Sequence, residues 1–180
     1  MIAGMAKSKQ QVYDPYADLI AGLNKAHVDY VVVGMSGINY YASSARDIFG
    51  TQDLDLFLRP TLANVVKTFR VFQSLGYEMS IEGRAVEEKD VREILRRKRT
   101  ILAVNPDGIT FKCWFSMSGF SFRQLAADAS VFKAGDVLIR VGKLRKLLAS
   151  KKAAGRPKDK LFLKRYEILL KEKMKNDMGF

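Results

Sequence analysis

The chain has 180 residues, a length that fits one globular domain with room for a terminal appendage. Apolar residues make up 48% of the composition and charged residues 28%, which excludes a disordered or fibrous protein. No apolar run reaches the roughly 18 residues of a membrane-spanning helix, and residues 1–12 lack the apolar segment of a secretory signal. We therefore expect a cytoplasmic protein with no membrane partner.

Charge and metal-ligating residues narrow the function classes further. The only cysteine, Cys113, and the only histidine, His27, exclude an intrachain disulfide and a zinc site built from cysteines and histidines, so a bound metal would be a hard cation on oxygen ligands. The net charge is +12, with 9 basic and 11 acidic side chains in residues 1–90 but 22 and 8 in residues 91–180. Such a basic half is typical of a surface that meets polyphosphate, although a solvated helix face produces the same pattern.

The first part of the chain alternates between predicted helices and strands. Asp14 followed by Pro15 is a helix-start signal, β-branched and aromatic residues before Gly34 indicate a strand, and Gly76 is a helix-ending signal. The predicted elements are, in order, a helix over 15–27, a strand over 29–33, a short helix over 37–44, a strand over 53–58 and a helix over 61–75.

The second part contains short predicted strands followed by basic helices. Asn105, Pro106, Asp107 and Gly108 favour a hairpin turn, Ser121 is a helix N-cap signal, and Gly155 followed by Pro157 separates two helices. The predicted elements are a helix over 85–97, strands over 101–104 and 109–114, a helix through 127, strands over 130–132 and 137–141, a helix over 143–152 and a last helix from 157.

These elements predict an α/β fold with a sheet of mixed direction and a helical C-terminal extension. We expect a flexible N-terminal tail over 1–12, an α/β core over 13–141 and a basic helical extension over 142–180 that packs on the core.

Two aspartates on one predicted strand are the first candidates for chemistry. Alternate side chains of a strand share a face, so Asp53 and Asp55 point the same way while Leu54 and Leu56 face the opposite side. Two carboxylates on an apolar strand need a metal, a Lys or Arg partner, or open solvent to offset their desolvation. The pair is therefore either a cation site or a solvated, salt-bridged pair.

A turn of small residues precedes this strand. Gly34, Met35, Ser36 and Gly37 follow a strand and lead into a helix, an arrangement that offers backbone N–H groups to a phosphate. A tight turn that needs glycine for backbone reasons alone is the other interpretation.

Together these segments resemble a known family. Strand, Gly/Ser turn, helix and then Thr51-Gln52-Asp53-Leu54-Asp55-Leu56 are similar to the minimal nucleotidyltransferase fold, especially the small bacterial proteins related to AbiEii-type toxins. Ser118-Gly119-Phe120-Ser121-Phe122 and Gly155-Arg156-Pro157-Lys158-Asp159-Lys160-Leu161 resemble segments at similar places in those proteins.

The resemblance implies a nucleotidyltransferase-like core of the polymerase-β type and the transfer of a nucleoside monophosphate from an NTP. It implies that Asp53 and Asp55 are catalytic ligands of Mg²⁺, a cation that pairs carboxylates with substrate phosphates. Gly34, Ser36 and Gly37 would bind the phosphates, and so would Lys158. The acceptor would be RNA or protein, favoured by the basic half, and a toxin-like member would have an antitoxin as its partner.

Lys112 departs from the family pattern, because it occupies the strand position where the family commonly places a third aspartate. One alternative is that Lys112 pairs with the two acids and leaves a catalytically silent module that binds nucleic acid through its basic half. The other is that Asp107 or Asp136 supplies the missing oxygen and the chain is an enzyme.

Overall fold

The computed structural model describes residues 14–165 and 167–177, so the predicted tail over 1–12 lies outside the described residues. The strands are β1 Tyr30–Val33, β2 Asp53–Leu58, β3 Glu78–Ile81, β4 Arg84–Ala85, β5 Ile101–Val104, β6 Thr110–Trp114, β7 Ser130–Ala134 and β8 Val137–Val141. The α-helices are α1 Ala17–Lys25, α2 Gly34–Asn39, α3 Leu62–Ser74, α4 Val91–Arg97, α5 Phe122–Ala126, α6 Leu144–Ala154, α7 Pro157–Arg165 and α8 Glu167–Asp177. Short 3₁₀ turns lie at Ala45–Asp47 and Glu88–Asp90.

The strands form one eight-stranded sheet in the order β4-β3-β5-β6-β2-β1-β8-β7. Strand β2 lies between β1, which runs antiparallel to it, and β6, which runs parallel to it. The pairing of β1 with β8 is also parallel, and the remaining pairings are antiparallel. The predicted α/β fold with a mixed sheet is therefore confirmed, and the helices after β8 form the predicted helical extension.

One face of the sheet carries an apolar core against α1 and α3. Phe111 of β6 is fully buried, and its ring meets those of Tyr16, Phe72 and Tyr77 in edge-to-face contacts with centroids 5.3–5.7 Å apart. Such contacts add to the free energy of burying large apolar rings. On the opposite face, Phe57 of β2 packs against α5, and this second face is the one that carries the aspartates.

Several predicted boundaries match the structure because their local signals are strong. Strands β2, β5 and β8 have the predicted limits. Ser121 caps α5, where its side chain accepts a hydrogen bond from the Gln124 backbone N–H. Gly76 and Gly155, which follow α3 and α6, adopt the left-handed conformation that ends helices.

Two helix predictions were wrong. The short helix expected over 37–44 begins instead at Gly34 and ends at Asn39, directly after β1. The helix expected over 85–97 is shorter, because strand β4 and a 3₁₀ turn precede α4.

The hairpin of β3 and β4 at the edge of the sheet was not predicted. Its two-residue turn is Glu82-Gly83, and both residues have positive φ values of 50° and 78°. Hairpins with this twist usually use Asn-Gly or Asp-Gly, since Asn and Asp tolerate positive φ better than Glu. The usual turn signal was therefore absent.

Within residues 14–165 and 167–177, no helix combines the length and the apolarity that are needed to cross a bilayer.

Candidate functional site

Asp53 and Asp55 lie on one face of β2, as the strand alternation predicted. Leu54 and Leu56 between and after them are buried on the opposite face. Asp55 is paired in register with Val33 at the end of β1, so the acid pair lies where the chain leaves β1. Both aspartates are partly buried, and the Asp53 side chain is 21% exposed. A polar ligand can therefore reach the pair from solvent.

Each aspartate receives a hydrogen bond from the neighbouring strand β6. The Lys112 ammonium donates to Asp53 Oδ2 at 2.5 Å, and the Trp114 indole N–H donates to Asp55 Oδ1 at 2.9 Å. Lys112 and Trp114 are two residues apart, so both side chains project to the face that carries the acids. Strand β6 thus supplies one positive charge and one neutral donor to two negative charges.

The turn after β1 is pressed against Asp55. Gly34 has a φ of +66°, and a Cβ atom there would overlap Asp55 Oδ2 and lie 2.8 Å from its Cγ. The buried Ser36 hydroxyl donates to the Val33 carbonyl at 3.0 Å and accepts from the Asp55 backbone N–H at 2.9 Å. The sequence-predicted residues Gly34, Ser36 and Asp55 are therefore adjacent, and Ser36 fixes the backbone of the acid strand to α2.

Gly37, the last residue of the predicted phosphate turn, is placed differently. A Cβ atom at this position would lie 3.0 Å from Leu147 Cδ1 of α6 and 3.1 Å from the Val32 carbonyl oxygen. The close packing of α2 on α6 and β1 is thus sufficient reason for a glycine there. Its predicted contact with phosphate stays a prediction.

Burial raises the pKa of the Asp55 carboxyl above its ordinary value. The Trp114 hydrogen bond and the charges of Lys112 and Lys151 act in the opposite direction, while the neighbouring Asp53 adds to the rise. Desolvation dominates, so the ionised form of Asp55 is disfavoured by the fold. Carboxyl groups whose pKa is shifted by desolvation and by specific charged partners are common at functional sites.

Lys151 was not predicted as a site residue. It is the lysine of the C-terminal helices whose charge lowers the pKa of Asp55. It lies on α6, is 13% exposed, and its Nζ is 3.3 Å from Asp159 Oδ1. Asp159 is only 2% exposed and also accepts a 2.6 Å bond from Arg156 Nε. The predicted phosphate ligand Lys158 is exposed at the start of α7. The sequence feature that could have pointed to Lys151 was Asp159, because it is the only acidic residue between residues 142 and 166.

The two alternative sources of a third carboxylate do not complete a metal cluster. Asp107 is exposed in the turn of the β5–β6 hairpin, and Asp136 lies in the β7–β8 turn beside a cavity of about 480 Å³. In the described part of the chain, no three His, Cys, Asp or Glu side chains are grouped so that they could hold a metal ion. The acid site therefore offers two carboxylates and one ammonium.

Comparison with known proteins gives only distant likenesses. No family model matches the chain, and no curated protein matches it. It is similar to a solved structure of JHP933 from Helicobacter pylori, with 11% identity over 81% of this chain and 57% of that chain and a TM-score of 0.39. It is also similar to a "putative nucleotidyltransferase" from H. pylori, with 14% identity over 80% of this chain and 58% of that chain and a TM-score of 0.41. The chain thus spans less than two thirds of either protein, and at these scores we draw nothing about activity from the likeness.

The contact between Gly34 and Asp55 yields a stability prediction. We expect Gly34→Ala to lower the free energy of unfolding by at least about 1–2 kcal/mol, because alanine disfavours positive φ and its methyl group overlaps the carboxylate. Urea denaturation followed by circular dichroism measures this loss. Gly50→Ala is the matched control, since no atom lies within 4 Å of its Cβ position, and we expect a change within about 0.5 kcal/mol. Equal effects of the two substitutions would show that the turn is not pressed against Asp55.

The raised pKa of Asp55 yields a prediction about pH. In the unfolded chain the Asp55 carboxyl has an ordinary pKa of about 3.9, whereas in the folded protein its pKa is raised. The folded state therefore favours the protonated carboxyl, and the wild type loses stability as the pH rises from the unfolded pKa through the folded pKa. Asn keeps an acceptor for Trp114 without a charge. We expect Asp55→Asn to unfold at higher urea than the wild type at neutral pH, with a difference that shrinks toward pH 4. Asp107→Asn, in an exposed turn, is the control, and a wild type more stable than Asp55→Asn at neutral pH contradicts the account.

Proposed function

We propose that the chain is a nucleotidyltransferase that binds the triphosphate of an NTP beside Asp53 and Asp55. The observation that carries this proposal is that both carboxylates share one partly exposed face with the glycine turn at Gly34. The same segments carry the sequence resemblance to the minimal nucleotidyltransferase fold. The geometry and the resemblance therefore concern the same residues.

The environment of Asp55 supports a functional role over a structural one. Its carboxylate is desolvated, yet the Trp114 indole N–H donates to it, Gly34 leaves space for it, and Ser36 accepts from the Asp55 backbone N–H. A residue that served only the fold would not need a charge at this position, since Asn could accept the same indole N–H bond. A negative charge held ready in a partly buried site is what cation-assisted phosphate chemistry uses.

The donor set fits Mg²⁺ on one condition. Mg²⁺ binds through one or two carboxylates together with substrate phosphates, and Asp53 and Asp55 provide two on one face. The condition is that the Lys112 ammonium leaves Asp53, which its flexible stem and 39% exposure permit. Asp53 and Asp55 would then hold the ion, which supplies neutralisation of the charge that develops on the phosphates.

The transfer itself requires little covalent chemistry from the protein. An acceptor hydroxyl attacks the α-phosphorus, the bond from this phosphorus to the bridging oxygen of the β-phosphate breaks, pyrophosphate leaves and the hydroxyl proton passes to solvent. The protein contributes positioning and charge stabilisation. Lys112 lies at the partly exposed end of the acid pair and is suited to binding the leaving phosphates.

The basic surface of the C-terminal helices favours a polyanionic acceptor. Exposed cations follow one another along α6 and α7 at Lys152, Arg156, Lys158, Lys160 and Lys164. Such a series neutralises backbone phosphates, so we propose RNA as the acceptor, with Lys158 in this surface. A protein acceptor and an antitoxin partner stay predictions from the resemblance.

A labelled-NTP transfer assay with total RNA tests this function. We expect label to enter RNA with the wild type and Mg²⁺, to be lost on chelation, and to fall by about a hundredfold or more in Asp53→Asn, because removing a charged ligand removes several kcal/mol of charge stabilisation. Asp107→Asn is the matched control and should retain activity, since Asp107 is an exposed turn residue. Transfer that survives in Asp53→Asn would exclude Asp53 from the mechanism.

The Lys112–Asp53 ion pair favours a second candidate, a catalytically silent module that binds nucleic acid. In this case the Lys112 ammonium stays on Asp53 permanently, and the basic helices alone bind the nucleic acid. The module predicts RNA binding whose logarithm falls linearly with the logarithm of salt concentration, unchanged when Asp53 and Asp55 are both replaced by Asn. Filter binding at several salt concentrations measures the slope. An absence of binding at low salt excludes the module, and loss of binding in the double variant assigns the interaction to the acid site.

A further inference from the structure

We propose that Lys112 is a substrate-binding residue that exchanges partners when a nucleotide arrives. In the free protein its ammonium is bonded to Asp53. When nucleotide binds, the ammonium moves to the triphosphate, and both carboxylates become free to bind a divalent cation. This inference rests on the proposed function and concerns a residue that the family pattern does not contain, because an acid is commonly found at that position.

The position of Lys112 makes the exchange possible. Its backbone is in register with Asp55, but its Nζ reaches along the strand to Asp53 Oδ2 at 2.5 Å. The ammonium is thus at the partly exposed end of the acid pair, on a four-carbon stem with several rotatable bonds. The other donor, Trp114, is a rigid indole fixed on Asp55 and has no charge to transfer.

The charges explain why the exchange is favourable. The Lys112 ammonium is already bonded to Asp53, so a divalent cation entering beside it meets like-charge repulsion. A triphosphate attracts the ammonium more strongly than one partly exposed carboxylate does, because it carries several negative charges. When Lys112 moves to the phosphates and the divalent cation moves to the acids, each charged group keeps an opposite partner throughout.

This account differs measurably from a static structural role. If Lys112 only neutralises Asp53 to stabilise the fold, its removal should strengthen the binding of a divalent cation but leave the binding of nucleotide alone unchanged. If it exchanges partners, its removal should strengthen the binding of a divalent cation alone and weaken the binding of nucleotide alone. Opposite shifts in two affinities are therefore the signature of the exchange.

The chain contains a suitable reporter for both ligands. Trp114 is the only tryptophan, and its indole N–H is bonded to Asp55, so its fluorescence responds to changes at the acid pair. We would titrate Mg²⁺ without nucleotide, and nonhydrolysable ATP and GTP analogues in the presence of EDTA, and would confirm both affinities by calorimetry. The proteins are the wild type, Lys112→Met and, as matched control, Lys25→Met in the exposed last turn of α1.

We expect Lys112→Met to bind Mg²⁺ about tenfold more tightly than the wild type and nucleotide about tenfold more weakly, with both affinities unchanged in Lys25→Met. Lys112→Gln, which keeps a hydrogen-bond donor for Asp53, replaces Lys112→Met if that variant does not fold, and should show the same opposite shifts. An unchanged nucleotide affinity overturns the exchange, and so do shifts of both affinities in the same direction. A wild type that binds neither analogue, with or without Mg²⁺, overturns the proposed function itself.

Discussion

Two carboxylates on the central strand of an apolar sheet are tolerated only because cations and N–H donors surround them, and the rest of the site depends on this compensation. Lys112 and Trp114 approach from β6, the Ser36 hydroxyl fixes the backbone from α2, and the charge of Lys151 acts from α6. The compensation is incomplete, since burial still raises the pKa of Asp55. A site that contains a carboxylate despite its desolvation favours the binding of a ligand that brings additional positive charge.

The fold brings these groups together through strand order rather than through sequence proximity. Because β2 lies between β1 and β6, the turn that ends β1 reaches Asp55, and the side chains of β6 reach both aspartates. Helix α6 then packs on α2, and the buried Asp159 of α7 holds Lys151 in place. Helix α6, which follows the last strand of the sheet, therefore packs beside the helix that leads away from β1.

The sequence predicted the features that depend on local rules. Strand alternation placed Asp53 and Asp55 on one face, and turn glycines and the Ser121 cap marked element ends correctly. What it could not predict depends on tertiary contacts. The pairing of Lys112 with the acids was one of two alternatives, and the register of β6 with β2 together with the bond to Asp53 decides between them. The position of Lys151 depends on helix packing. The choice of Lys158 as a phosphate ligand followed a motif, whereas the lysine of the C-terminal helices whose charge acts on Asp55 lies on the preceding helix.

The most direct measurement is a crystal structure with Mn²⁺ and a nonhydrolysable NTP, with the metal located by its anomalous signal. The account predicts one Mn²⁺ bound by carboxylate oxygens of both Asp53 and Asp55, with the triphosphate beside Gly34 and the Lys112 ammonium on a phosphate oxygen. A structure in which Lys112 stays on Asp53 while the nucleotide binds elsewhere on the chain would contradict it.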